Sequence, residues 1–438
     1  MDGTMKDMKS LLKKVSNKLG DAVVELKKSS RVVIPSRSSS APFVLSAGQP
    51  FASQVKGDRI NVIRHDFDLG SEEVCLPKNC ILWFQGGTLR NGMLVGNDSI
   101  IHADERIFDG VSVGGTWSCV GDVAWFADGT SVVNDQWGCR FPQLIDQSAA
   151  LQLALDSSFR ELHFPPKCYY IDKPIVLTKE KKLILHGSDM KLSCQQSGVG
   201  NMNTCVIFSD KDICLLRIAV RENWQNAVLI DGGNFDVSLC EHYTQNCIEV
   251  RADQEGQKIW GLTINTNVKG RFGQTSGVGI NINPVANYNL TDNNAYVTQI
   301  RINSNVSNFC IGVKATNYFN GSTCKYYNWC TDVEIGGSII NCPTAVSSNV
   351  EDLLISATMQ SGRFWQTKDN GQALVCYSGL RVAISGSVYD IRMGSEGSWS
   401  NEYAMVTEKG ATVSTYGKFE SFRLACEKLG WPLILNEE

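Results

Sequence analysis

The sequence predicts a mainly β chain whose middle winds as a parallel β-helix, a solenoid, and three observations predict it. A strand pattern returns five times between residues 216 and 346: Leu216, Ile218, Val220; Val237, Leu239, Glu241; Leu262, Ile264, Thr266; Ile300, Ile302, Ser304; Val333, Ile335, Gly337. No helical periodicity separates the copies, and each alternates apolar with polar positions, so each is a strand with one buried face. Such a strand cannot bury that face alone, and stacking each copy on the last supplies the missing partner. The last two copies align over fourteen residues, IRINSNVSNFCIGV at 300–313 over VEIGGSIINCPTAV at 333–346. Finally, 39 glycines against 11 prolines suit many tight turns between short strands.

In chain order, residues 1–43 read as an N-terminal α-helical arm and linker. Met5, Met8, Leu12, Val15, Leu19, Ala22 and Leu26 fall at alternating spacings of three and four, a heptad seam with Lys6, Lys9, Lys13, Lys14 and Lys18 off it. So short a helix is marginal in water unless something covers the seam. Its own domain, other copies, another protein or a membrane surface would each serve. The Ser-rich stretch 29–43 reads as a linker.

Residues 44–140 form a small β-rich head module, with strands at 75–118 punctuated by Gly-Gly, Asn-Gly and Gly-Asn. Residues 141–393 form the solenoid. It opens on a short helix at 146–158, with Asp146 or Ser148 as N-cap and Ala150, Leu151, Ala154 and Leu155 on one face, placed to cap an open end. Strand material follows at 159–177. Polar inserts at 270–277, 283–295 and 317–329 should leave the coil on one side. Residues 394–438 form a C-terminal cap, with a helix at 418–430.

A net charge of −4 argues against a nucleic-acid partner for the whole chain. There is no run of 18 apolar residues to insert in a membrane, and the start MDGTMKDMKS lacks the apolar stretch of a signal peptide. Sixteen cysteines without a CxxC pair then read as buried free thiols of a protein made in a reducing cytosol. Cys247, Cys310 and Cys342 recur near the same place in successive copies, which predicts a stacked ladder of small side chains. No cofactor or metal set is indicated.

Two stretches resemble a known family. WFQGGTLRNGMLVGNDSIIHADERIFDGVSVGGTW, Trp83 to Trp117, followed by VAWFADG at 123–129, resembles a module of tail-spike-like proteins from phages and prophages of gut Bacteroidetes, of the crAss-like type. DQSAALQLALDSSFRELHFPPKCYYIDKPI, Asp146 to Ile175, resembles the entry helix and first strand of pectate-lyase-like right-handed β-helices. The resemblance implies a homotrimeric appendage on the virion tail, docked to other tail proteins through its N-terminal segment and meeting bacterial surface polysaccharide. The chain is shorter than a typical glycan-degrading spike.

Cleavage of a polysaccharide on such a body needs two carboxyl groups roughly 5–9.5 Å apart. Asp231, Asp236, Glu241 and Glu249, with Asp332 and Glu334 later, are the acidic candidates; each also fits a solvated outward position, and the catalytic set stays unknown. Sugar contact is the alternative chemistry. Tyr318, Phe319, Tyr326, Tyr327 and Trp329 supply rings amid amides and hydroxyls, although a subunit contact or the chain's own core would use the same residues. The expected function is therefore a virion tail spike or tail fibre adhesin, with a polysaccharide depolymerase as the alternative.

Overall fold

A computed structural model describes residues 41–129, 144–187, 204–219, 228–252, 258–273, 276–283, 296–316, 318–319, 327–342, 344–348, 350–355, 357–360 and 363–367, and beyond them the strands 373–377, 380–384, 391–394, 403–407, 413–416 and 434–435. The arm seam Met5 to Leu26 and the helix expected at 418–430 lie outside the described residues.

The body is built of parallel ladders on three faces. On the first face Glu161–Phe164 pairs with Lys182–Leu185, which pairs with the start of Val228–Asp236. Lys258–Lys269, Tyr296–Ser307, Tyr327–Ile340, Glu351–Ile355, Ile391–Gly394, Val413–Tyr416 and Ile434–Leu435 follow in turn. The second face begins with Cys168–Tyr170 and Val206–Phe208 and continues through the far halves of the long strands. The third runs from Ile175–Leu177 through Leu216–Ile218, Asn246–Arg251, Val278–Asn283, Ile311–Ala315, Thr344–Ser348 and Leu380–Ile384 to Tyr403–Thr407. A chain that visits the faces in rotation, its parallel strands pairing with their counterparts one circuit away, is coiled; two local antiparallel pairs, Tyr318–Phe319 with residues 327–328 and Arg363–Thr367 with Ala373–Tyr377, are added to it. The parallel ladder also runs past residue 393.

The core is a set of vertical columns. Leu162, Leu183, Ile230, Ile264, Ile302, Ile335 and Ile355 lie in register on seven successive circuits, none more than 2 % exposed. Branched side chains suit this position because they pack on a pleated surface with little rotamer freedom to lose. Polar ladders run beside the apolar ones. Asn267 Nδ2 donates to Asn234 Oδ1 (2.8 Å), Asn305 Nδ2 to Asn267 Oδ1 (2.9 Å), and Ser338 Oγ to Asn305 Oδ1 (2.6 Å). Stacking thus satisfies amides that burial would otherwise penalise.

The registers correct two details. Leu262, Ile300 and Val333 are stacked on the first face, and the fourteen-residue alignment holds from Ile300–Val333 to Val313–Val346. Leu216, however, pairs with Ile248 on the third face, and Val237 follows the second-face strand, so those two copies are not equivalent to the others. Every face of a coil shows the same alternation, and period alone cannot tell which face a strand occupies. The thiols likewise do not stack as one ladder. By the flanking registers Cys247 is level with Gly312 and Ala345, whereas Cys342 is level with Phe309. Cys75, Cys80, Cys119, Cys205, Cys214, Cys247, Cys310 and Cys342 are free thiols, and burial pushes the thiols of Cys205, Cys214, Cys247, Cys330 and Cys342 up.

The head is a second, tighter parallel coil. Phe43–Val44, Ile60–Ile63, Ile81–Phe84 and Ile100–His102 stack on one face. Phe67–Asp68, Leu89–Arg90 and Phe108–Asp109 stack on the next, and Glu73–Cys75, Met93–Val95 and Ser112–Gly114 on the third. Two corners repeat in left-handed conformation, Asp58, Asn79 and Asp98 at one, Ser71, Asn91 and Gly110 at the other. Asp and Asn tolerate that region best after Gly, which is why the Asn-Gly and Gly-Asn pairs mark corners.

Between head and body lies the helix Ser148–Asp156, which buries Leu151, Ala154 and Leu155. It caps the third face through one side chain: Gln152 Nε2 donates to Val176 O (2.9 Å) and Gln152 Oε1 accepts from Val176 N (2.8 Å). Those are the two bonds another strand would have made, so the edge cannot template a foreign one. Trp117 and Trp125 close on Phe159, with ring centroids 5.4 and 5.6 Å away. Lys181, 2 % exposed, donates to Ser157 O (2.6 Å) and Phe159 O and ties down the exit of the helix.

Candidate polysaccharide groove

Four successive connections fall at the same corner: the third-face strands end at Ile218, Arg251, Asn283 and Ala315, and the next first-face strands begin at Val228, Lys258, Tyr296 and Tyr327. Inserts collect there because only a corner can lengthen without breaking a ladder.

Beside that corner the first face carries a groove of about 480 Å³, lined among others by Lys182, Thr263, Gln299, Arg301, Asp332 and Glu334. Its floor is made by a repeated irregularity. Gly261, Gln299 and Asp332 occupy the same place on three strands and all have positive φ, +79°, 53° and 54°. The positive φ turns the strand so that both Ile259 and Leu262, on either side of Trp260-Gly261, face the core. The three strands keep one-to-one register through it, so it is a shared kink that turns Trp260 outward between two core positions. Gln299 and Asp332 hold a conformation that costs an L-residue roughly 1–2 kcal/mol. Strain of this kind gathers at functional sites.

Arg301 Nε and Glu334 Oε2 are 3.5 Å apart with both side chains largely exposed, so the pair adds little stability and both groups stay available to a ligand. Trp260, just before Gly261, is 43 % exposed on the outer side of its strand. A flat ring beside charged and amide groups can stack on a sugar face while they bind its hydroxyls.

The expected residues are distributed as follows. Asp332 and Glu334 share the groove. Asp231 lies on the first face, where it accepts from Asn265 Nδ2 (3.4 Å). Asp236 lies on the second, buried beside Lys269 Nζ (3.7 Å). Glu249 lies on the third, buried against Arg217 Nε (2.8 Å), and Glu241 is exposed 3.6 Å from Arg271. Three faces separate these four carboxylates, so they do not form the opposed pair that cleavage requires. Tyr318 and Phe319 form a short antiparallel ladder with Asn328 and Tyr327, and Trp329 pairs with Tyr296 at the head of its strand. Tyr326 lies outside the described residues. Sequence reading passed over Trp260; its signal was an outward aromatic directly before a glycine in KIWGLTINT.

A second cluster sits on the circuit of Lys182 and the one before it. Glu161 Oε1 is 2.7 Å from His163 Nε2, and His163 Nδ1 is 2.7 Å from His186 Nε2. Burial lowers His186, with His163 adding to the shift, and burial raises Asp122 on the neighbouring strand. Among the described residues no group of three or more His, Cys, Asp or Glu is arranged to hold a metal ion, and no helix is long and apolar enough to cross a membrane.

Comparison with known proteins returns no relative: no protein-family model, no curated protein and no solved structure matches the chain.

Proposed function

We propose that this chain is a structural and receptor-contacting protein of a phage tail, a tail spike or tail fibre adhesin whose groove meets bacterial surface glycans. The observation that carries the reading is the parallel ladder of the body. Eleven strands follow one another along the first face, which at roughly 4.8 Å per strand makes a rod of about 48 Å. Each circuit is hydrogen-bonded to the next, so load and protease meet a stiff object with few open edges. In this reading the coil is a right-handed β-helix, the hand of about 98 % of parallel crossovers. The protein is a homotrimer located in the virion tail, and its N-terminal arm attaches it to other tail proteins. The ground for that placement is the resemblance of Trp83 to Trp117 to tail-spike modules.

One observation favours a second reading, a polysaccharide depolymerase: Asp332 and Glu334 line the same groove as Lys182 and Arg301. A single experiment separates the two. Purified protein is incubated with host capsule while bound glycan and new reducing ends are followed. Binding without product supports the adhesin; sustained release of ends that disappears in Asp332→Asn or Glu334→Gln supports the enzyme. For the placement, a chain lacking residues 1–40 is expected to fold but stay out of particles, and normal incorporation would locate the attachment surface elsewhere.

A further inference from the structure

In the groove Lys182 stands beside a carboxylate it does not pair with. Glu161 and Lys182 lie opposite each other on adjacent strands of the first face, while Leu162 and Leu183 next to them turn to the core. Neighbouring strands are only about 4.8 Å apart, so the two charges are within reach of one another. Lys182 nevertheless makes no ion pair among the described residues, because Glu161 Oε1 is engaged 2.7 Å away by His163 Nε2. His163 Nδ1 in turn lies 2.7 Å from His186 Nε2, with ring centroids 4.8 Å apart. Two ring nitrogens at that distance share one hydrogen. In the uncharged pair His186 Nε2 donates to the lone pair of His163 Nδ1, and His163 Nε2 donates to Glu161. One added proton lets His163 donate from both nitrogens at once, to Glu161 and to His186. A second would set N–H against N–H, so the pair takes up a single proton while its contacts last. Burial, with His163 adding to the shift, lowers His186, which leaves that proton on His163.

We propose that the His163–His186 pair is a proton-operated switch on the groove: protonated, it holds Glu161 and leaves Lys182 free for a glycan; deprotonated, it releases Glu161 to pair with Lys182. This rests on the glycan-binding reading of the groove and adds its regulation. A charge-assisted hydrogen bond is roughly twice as strong as a neutral one, so loss of the proton loosens the hold of His163 on Glu161. The pull from the other side does not change, because an ammonium stays charged between about pH 5 and 8, the range in which histidine changes charge. The remaining charged groups facing the pair are Asp122, level with His163 on the preceding strand, Lys167 at the next corner, and Asp231 two strands further along the column of His163. Burial raises Asp122, with the Ala124 N–H and then His163, His186 and Lys167 opposing. None of these three lines the groove, whereas Lys182 does. Glu161 is therefore the group through which the proton reaches the site.

The test first follows the full chain by nuclear magnetic resonance from pH 5 to pH 8.5 with no glycan present. The side-chain signals of Lys182 are expected to move in step with the titration of the His163 ring, and in Glu161→Gln that step at Lys182 is expected to vanish while the histidines still titrate. A Lys182 signal that stays flat while His163 titrates overturns the proposal. Affinity for purified host capsule is the second readout. Wild-type chain is expected to bind roughly threefold more tightly at pH 5.5 than at pH 8, the scale of one exposed ion pair. Glu161→Gln is expected to bind at the tighter level at both pH values, and His163→Asn at the weaker level at both. Neither residue lines the groove, so these opposite signs separate a switch from general damage. Equal pH dependence in Glu161→Gln and wild type would refute the switch, whereas a Lys182 step with no change in capsule binding would reject the glycan groove and leave the switch standing.

Discussion

Gly337 and Gly273 form a matched pair that tests whether close stacking of coils, rather than conformational preference alone, holds this fold together. Their φ angles are nearly the same, +80° and +82°. A Cβ on Gly337 would lie 2.3 Å from the Ser304 carbonyl oxygen and 2.7 Å from its nitrogen, whereas one on Gly273 meets nothing within 4 Å. Alanine at either position carries the left-handed penalty of roughly 1–2 kcal/mol. At Gly337 the methyl also strikes backbone that is itself bonded into the ladder and cannot yield without parting two circuits. Overpacking of that kind adds about 1–3 kcal/mol, for a total of about 2–5 kcal/mol. A repeat array does not unfold as one unit, so local amide exchange is the appropriate measurement. Exchange in Tyr327–Ile340 is expected to quicken by roughly 30-fold or more in Gly337→Ala, and that in Lys258–Lys269 by roughly 5- to 30-fold in Gly273→Ala. Equal accelerations, or a Gly337→Ala chain that exchanges like the wild type, would refute the claim that the coils touch backbone to backbone there.

Asn267→Ala breaks the bonds to Asn234 and Asn305 at a 2 % exposed position and should destabilise the second face by about 2–3 kcal/mol, seen as earlier thermal unfolding by circular dichroism. Lys181 is lowered by burial to about 7, with Lys179 adding to the shift, against 10.5 for a free amine. The unfolded chain therefore holds a proton that the folded chain has released between these values, and stability should rise with pH from about 7 toward 10.5. Lys181→Met should flatten that rise in urea titrations at pH 7 and pH 9. Trp260→Ala should weaken binding of the groove to a host glycan roughly three- to tenfold in titration calorimetry, with an unchanged far-ultraviolet spectrum.

Alternation and repetition made the strands and their stacking legible. The match of 300–313 to 333–346 carries over residue by residue into the ladders of two faces, because a coil that keeps its length keeps its register. The helix at Ser148–Asp156 was legible from its periodic apolar stripe, whereas its cap was not: the N-cap is Gln147, which makes no side-chain cap bond, and not Asp146 or Ser148. The candidate site was legible only in part. Asp332 and Glu334 could be named as carboxylates, but not that Lys182, about 150 residues earlier, shares their groove.

What the amino-acid order determined unaided is local: which segments alternate, where Gly, Asn and Asp turn the chain, and where polar inserts interrupt it. What only the tertiary structure decided is the face each strand occupies and what lies above and below it. Asp231, Asp236 and Glu249 sit on similar strands and yet face three directions, because corners such as Gly232-Gly233 reorient the chain between them. The physical reason is that a period of two specifies inside against outside, whereas neighbourhood in a coil depends on the number of residues in each circuit, and here that number varies with every insert.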